Sequence, residues 1–185
     1  MTLNEELSGH RFTAGLSASQ LARLAETARK ISFAEDELIL VTGQQSRYFY
    51  LLSSGSVCIE ARMRAYTVCV QALRPGDAFG WSALLDQHDT LFQVRAREPA
   101  TALCLEGAGL AAAFREDTGL AAELLRRALS LVAGRVQATE ARLAEFCGVR
   151  IETLARHHFS FSRGEPVRPG PQSGPGSSTD ATQKR

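Results

Sequence analysis

The 185-residue chain has no uninterrupted apolar run near the ~18 residues of a membrane-spanning helix, so no membrane span is expected. It also lacks an excess of charge of either sign. With 21 basic and 20 acidic residues the net charge is +1, which gives no overall field to draw in nucleic acid or an anionic membrane. There is no Walker loop, no nucleophile paired with a base and no clustered set of metal ligands, so no catalytic or metal residues are nominated. The four cysteines, Cys58, Cys69, Cys104 and Cys147, show no CxxC spacing and are expected to be buried reduced thiols. His157 and His158 are adjacent and lack a spaced partner, as expected of a surface pair rather than a metal site. The N-terminus has no basic stretch leading into an apolar run, and a soluble, cytoplasmic protein is expected.

What is present is enough apolar residue, 44%, for one core. Ser17-Ala18-Ser19-Gln20 has the form of a capping box ahead of Leu21, Leu24 and Ala28, predicting a helix over 17–30. From Ile31 to Leu105 short runs rich in β-branched and aromatic residues alternate with Gly43, Gly55 and Pro75-Gly76. Strands are expected at 39–41, 48–52, 56–60, 66–70 and 101–105, with Arg62-Met63-Arg64 turning a hairpin. The fold class is therefore α+β: an antiparallel β-roll or jelly roll flanked by an N-terminal helix and a long C-terminal helix.

Beyond Leu105 the composition turns to Ala, Leu, Arg and Glu, predicting a short helix over 107–115 and a long one over 119–147. From Ser160 the chain holds four of its six prolines among Gly, Ser, Thr and Gln, a segment expected to be disordered. The long helix carries a heptad seam of Leu125, Leu129, Val132, Val136, Thr139, Leu143 and Phe146. Either this stripe packs on the β-roll or it pairs with a second copy; a homodimer is expected. Arg126, Arg127, Arg135, Glu140, Arg142 and Glu145 fall off the seam and are expected on a solvated face.

The segments Thr42-Gly43-Gln44, Leu51-Leu52-Ser53-Ser54-Gly55-Ser56-Val57 and Leu73-Arg74-Pro75-Gly76-Asp77-Ala78-Phe79-Gly80 resemble the cyclic-nucleotide-binding sensor half of the Crp/Fnr regulators, over roughly residues 12–159. The resemblance implies a roll over 12–117, a dimerisation helix over 118–147, a remnant hinge and first winged-helix segment over 148–159, and the tail over 160–185. It also implies a phosphate-cradling loop in which a glycine admits the cyclic phosphate, a glutamate takes the ribose hydroxyl and an arginine beside a small residue pairs with the phosphate. Gly80 matches the glycine, Trp81 stands for the glutamate, Thr90 for the arginine and Leu91 for its small neighbour. The backbone around Gly80 and Ser82 can still donate to an anion, and Trp81 either stacks on a ring or fills the vacated volume. Thr139, in Arg135-Val136-Gln137-Ala138-Thr139-Glu140, matches the threonine that reaches adenine, or else bonds back to its own helix.

No cofactor is nominated, and cyclic AMP binding is expected to be weak or lost. Phe146 to Ala155 resembles the hinge and first helix of the DNA-binding domain, but the Pro/Gly/Ser tail follows, so no specific DNA binding is expected. The implied function is a non-catalytic sensor or interaction domain that acts through dimerisation and a protein partner, its pocket either taking a small-molecule ligand or vestigial. The alternative is a Crp/Fnr-type transcription regulator that binds DNA or modulates a full-length relative through a heterodimer.

Overall fold

The computed structural model describes residues 2–85, 89–90 and 92–146, all within one compact unit, Met1–Arg150. Cys147, the hinge segment, His157, His158 and the tail lie outside the described residues. Helix α1 (Leu3–Gly9) and helix α2 (Ala18–Thr27) precede eight strands: β1 (Ala28–Phe33), β2 (Leu38–Leu40), β3 (Tyr48–Ser54), β4 (Val57–Arg62), β5 (Thr67–Leu73), β6 (Ala78–Phe79), β7 (Gln93–Ala96) and β8 (Ala100–Glu106). Helices α3 (Gly107–Glu116) and α4 (Thr118–Phe146) follow. The strands form two four-stranded antiparallel sheets, ordered β1-β8-β3-β6 and β2-β7-β4-β5. This is the expected β-roll between helices.

Strands β3 and β8 explain why the molecule has two apolar layers. Side chains alternate across a strand, and both faces are covered here. Tyr48, Tyr50 and Leu52 with Ala102 and Cys104 point between the sheets, where Tyr50 stacks on Phe79 at 4.6 Å. Phe49 and Leu51 with Leu103 and Leu105 point outward to Leu7, Leu24, Leu110, Leu120 and Leu124 of the helices. The first layer is the inside of the roll; the second fastens the helices to it.

The Ser17–Gln20 capping box forms, with Gln20 N–H donating to Ser17 Oγ at 3.2 Å and Ser17 N–H to Gln20 Oε1 at 3.0 Å. Helix α2 ends at Thr27 because Ala28 is extended and opens β1. On α4, Asp117 Oδ1 accepts from Leu120 N–H at 2.8 Å and holds the first turn.

The expectation of reduced thiols fails for one pair. Cys58 and Cys69 form a disulfide across the β4–β5 hairpin with Cα atoms 6.0 Å apart. A bulge between Ile59 and Glu60 shifts the register so that Glu60, not Ala61, faces Cys69, which brings Cys69 towards Cys58. Cys104 is free and buried as expected, and burial pushes its thiol up to about 12.

A second correction concerns α4. The stripe on the roll is Leu120, Leu124 and Leu131, with Ala128 buried between them, one helical face round from the heptad seam. Arg126 and Glu140 lie on the solvated face, but Arg127 and Arg135 turn to the body: Arg127 donates to Phe12 O at 2.5 Å and Arg135 to Ala78 O at 2.5 Å. An arginine beside an apolar stripe lays its stem along it and caps carbonyls at its edge. The side chains of Arg142 and Glu145 lie outside the described residues.

Candidate functional site

The loop after β6 turns sharply at Gly80, whose φ is 77°. A Cβ there would lie 2.5 Å from Tyr48 O and 2.8 Å from Tyr50 Cδ2, so glycine is required by the protein's own backbone. A single 3-10 turn follows, Trp81–Leu84, in which Ala83 N–H donates to Gly80 O at 3.0 Å. Ser82 is buried, and its hydroxyl accepts from Ser46 N–H at 3.2 Å, tying the turn to the segment before β3. Thr90 is bound to that segment too. Its carbonyl accepts from Gly43 N–H at 2.7 Å, and its hydroxyl bonds Phe92 on both sides, donating to Phe92 O and accepting from Phe92 N–H.

These residues share one cavity of about 410 Å³, enclosed by the roll on one side and α4 on the other. Gly80, Trp81, Ser82, Thr90 and Thr139 all line it; Leu91 lies outside the described residues. The floor is apolar, built from Leu40, Ile59, Phe79, Phe92 and Val94. Trp81 is half-buried, forms part of the wall and packs against the helical layer rather than filling the cavity. Thr139 is exposed, and its hydroxyl donates to Arg135 O at 2.9 Å, the helix back-bond.

Among the described residues, the charges facing the cavity are two carboxylates, Asp89 and Glu140, and one guanidinium, Arg135. Arg135 is the group that sequence reasoning left on the solvated face; its position four residues before Thr139, on one helical face with it, was the available signal. Burial lowers its pKa to about 10, partly offset by the Asp77 carboxylate. Of the uncharged polar side chains in the lining, Ser82 and Thr90 bond within the loops, Thr139 bonds back to its own helix, and the Gln71 amide faces the cavity. The arrangement favours an uncharged, ring-bearing molecule over an anion, because a charge taken out of water needs a counter-charge.

Residues 30–117 match the family model described as "Cyclic nucleotide-binding domain". No curated protein sequence matches the chain. Among solved structures, a candidate cyclic nucleotide-binding protein from Geobacter metallireducens is 26% identical with a TM-score of 0.64, covering 74% of this chain and 99% of its own. The sensor domain of the transcriptional regulator DNR from Pseudomonas aeruginosa is 19% identical with a TM-score of 0.56, covering 69% and 91%. The regulatory subunit of a cAMP-independent protein kinase A from Trypanosoma cruzi, bound to guanosine, is 19% identical with a TM-score of 0.59, covering 78% and 48%. Among the described residues there is no helix long and apolar enough to cross a membrane and no cluster of potential metal ligands.

Proposed function

We propose that this chain is a non-catalytic regulatory domain whose cavity takes an uncharged, ring-bearing small molecule and whose long helix passes occupancy to a second copy or a protein partner. One observation carries the reading. Val132 and Val136 belong at once to the cavity wall and to the heptad stripe, so whatever fills the cavity bears on the surface that would pair. Leu125, Leu129, Val136 and Leu143 are 42%, 70%, 50% and 61% exposed, an apolar ridge along α4 suited to a two-helix seam.

The ligand class follows from the lining. A cyclic phosphate would bring its charge beside Asp89 and Glu140, and the Arg135 guanidinium, already donating once to Ala78 O, faces both carboxylates, so the burial costs several kcal/mol. Guanosine in the Trypanosoma cruzi subunit gives a precedent for a phosphate-free nucleoside in this fold. The Crp/Fnr-type alternative of DNA binding rests on residues 148–159, outside the described residues, and draws no support from the rest of the chain.

Sedimentation tests the pairing. At tens of micromolar, about the range of an ordinary seam affinity, the wild type should be dimeric and the Val132→Glu, Val136→Glu double variant monomeric. A monomeric wild type at that concentration would remove the dimer.

A further inference from the structure

A second cavity, of about 480 Å³, lies where the segment after α1, the β5–β6 turn and α4 meet. Four arginines converge on it from two distant parts of the sequence: Arg11 from the first segment, and Arg126, Arg127 and Arg135 from three turns of α4. Their counter-charges are already allotted. Arg11 pairs with Asp77, while Arg126 and Arg127 share Glu123 at 2.8 and 2.6 Å. Arg127 also donates to Phe12 O and Arg135 to Ala78 O, so these two are held rather than swinging in solvent. Four guanidinium groups against two carboxylates leave two positive charges at one cleft, more than the +1 of the whole chain. Concentrating like charge is unfavourable unless an anion joins it, and each guanidinium keeps N–H donors beyond the bonds just named. The bonds from Arg126 and Arg127 hold the Glu123 carboxylate down at about 2, so it stays ionised and the two arginines remain in register.

We infer that this cleft is a binding site for a phosphate compound carrying two or more negative charges, separate from the roll cavity. Its volume suits a small molecule, and Phe12, Leu73 and Leu131 provide apolar walls beside the arginines. Arg135 belongs to the walls of both cavities, so the two occupants would meet at one side chain.

The test is calorimetric titration of the full chain with pyrophosphate and, separately, ATP, at fixed ionic strength set by chloride. Pyrophosphate binding alone, or binding of both, supports the site; the comparison tells whether a free phosphate or a nucleotide is the better source. Arg11→Gln with Arg126→Gln should weaken binding at least tenfold, since both side chains are largely exposed and their loss leaves the core untouched. Ser130→Glu, which adds a carboxylate at an exposed cleft position, should do the same and serves if the double variant fails to fold. No heat from either phosphate, or equal binding by wild type and Ser130→Glu, would overturn the inference.

Discussion

At the scale of single residues, His10 carries a pH dependence. It is buried, its Nε2–H donates to Leu52 O at 3.1 Å and its Nδ1 accepts from Phe12 N–H at 3.1 Å, so only the neutral ring satisfies both neighbours. Burial lowers its pKa below 6.5, opposed by the bond to Leu52 O and the Asp77 carboxylate and reinforced by Arg11. The unfolded chain therefore binds the proton more readily, and the stability contributed is complete above pH 6.5 and lost as pH falls through the lower folded value. Urea midpoints should fall between pH 7 and 5.5 in the wild type and change less in His10→Gln. Gly80→Ala should cost at least about 2 kcal/mol in urea unfolding, from positive φ and the overlap with Tyr48 O. Gly80 was legible as a special position in the sequence, but the reason lies in a backbone contact 32 residues away that no local pattern contains. Arg135 was misplaced for a related reason, since its charge suggested solvent and only the packing of α4 on the roll turns it inward.

Among the secondary-structure elements, legibility followed burial. The runs Tyr48–Leu52 and Thr101–Leu105 read as strands because both of their faces are covered. Strand β7 was missed because Gln93 and Arg95 are polar; they turn to the buried Glu60, with Gln93 Nε2–H donating to its Oε2 at 2.7 Å. Strand β1 was absorbed into the preceding helix, Arg29 and Lys30 giving no apolar alternation. Helix α1 passed unnoticed although Thr2 and Glu5 form a capping box. The Cys58–Cys69 bridge depends on a bulge, which spacing in sequence does not reveal. Reduction should lower stability by about 2–3 kcal/mol. Calorimetry with and without dithiothreitol checks this, and Cys69→Ala should abolish the difference; an unchanged midpoint on reduction of the wild type would count against the bridge.

For the whole molecule, the roll and the long helix are joined through the cavity they enclose. Its wall contains Val132 and Val136, and the opposite margin contains the Gly80 turn, so the loop and the exposed stripe of α4 border one cavity. On the function proposed above, that connection makes the domain a sensor rather than a container, and the charge balance of the lining sets what it senses. Trp81 is the only tryptophan and stands in the wall, so its emission reports occupancy directly. The most direct test is a Trp81 fluorescence titration comparing adenosine with cAMP, which share base and sugar and differ in the cyclic phosphate. With an uncharged-ligand cavity, cAMP should bind no more tightly than adenosine. Binding of cAMP at least tenfold tighter than adenosine, about 1.4 kcal/mol in favour of the phosphate, would show that the cavity supplies an anion partner and would contradict the account.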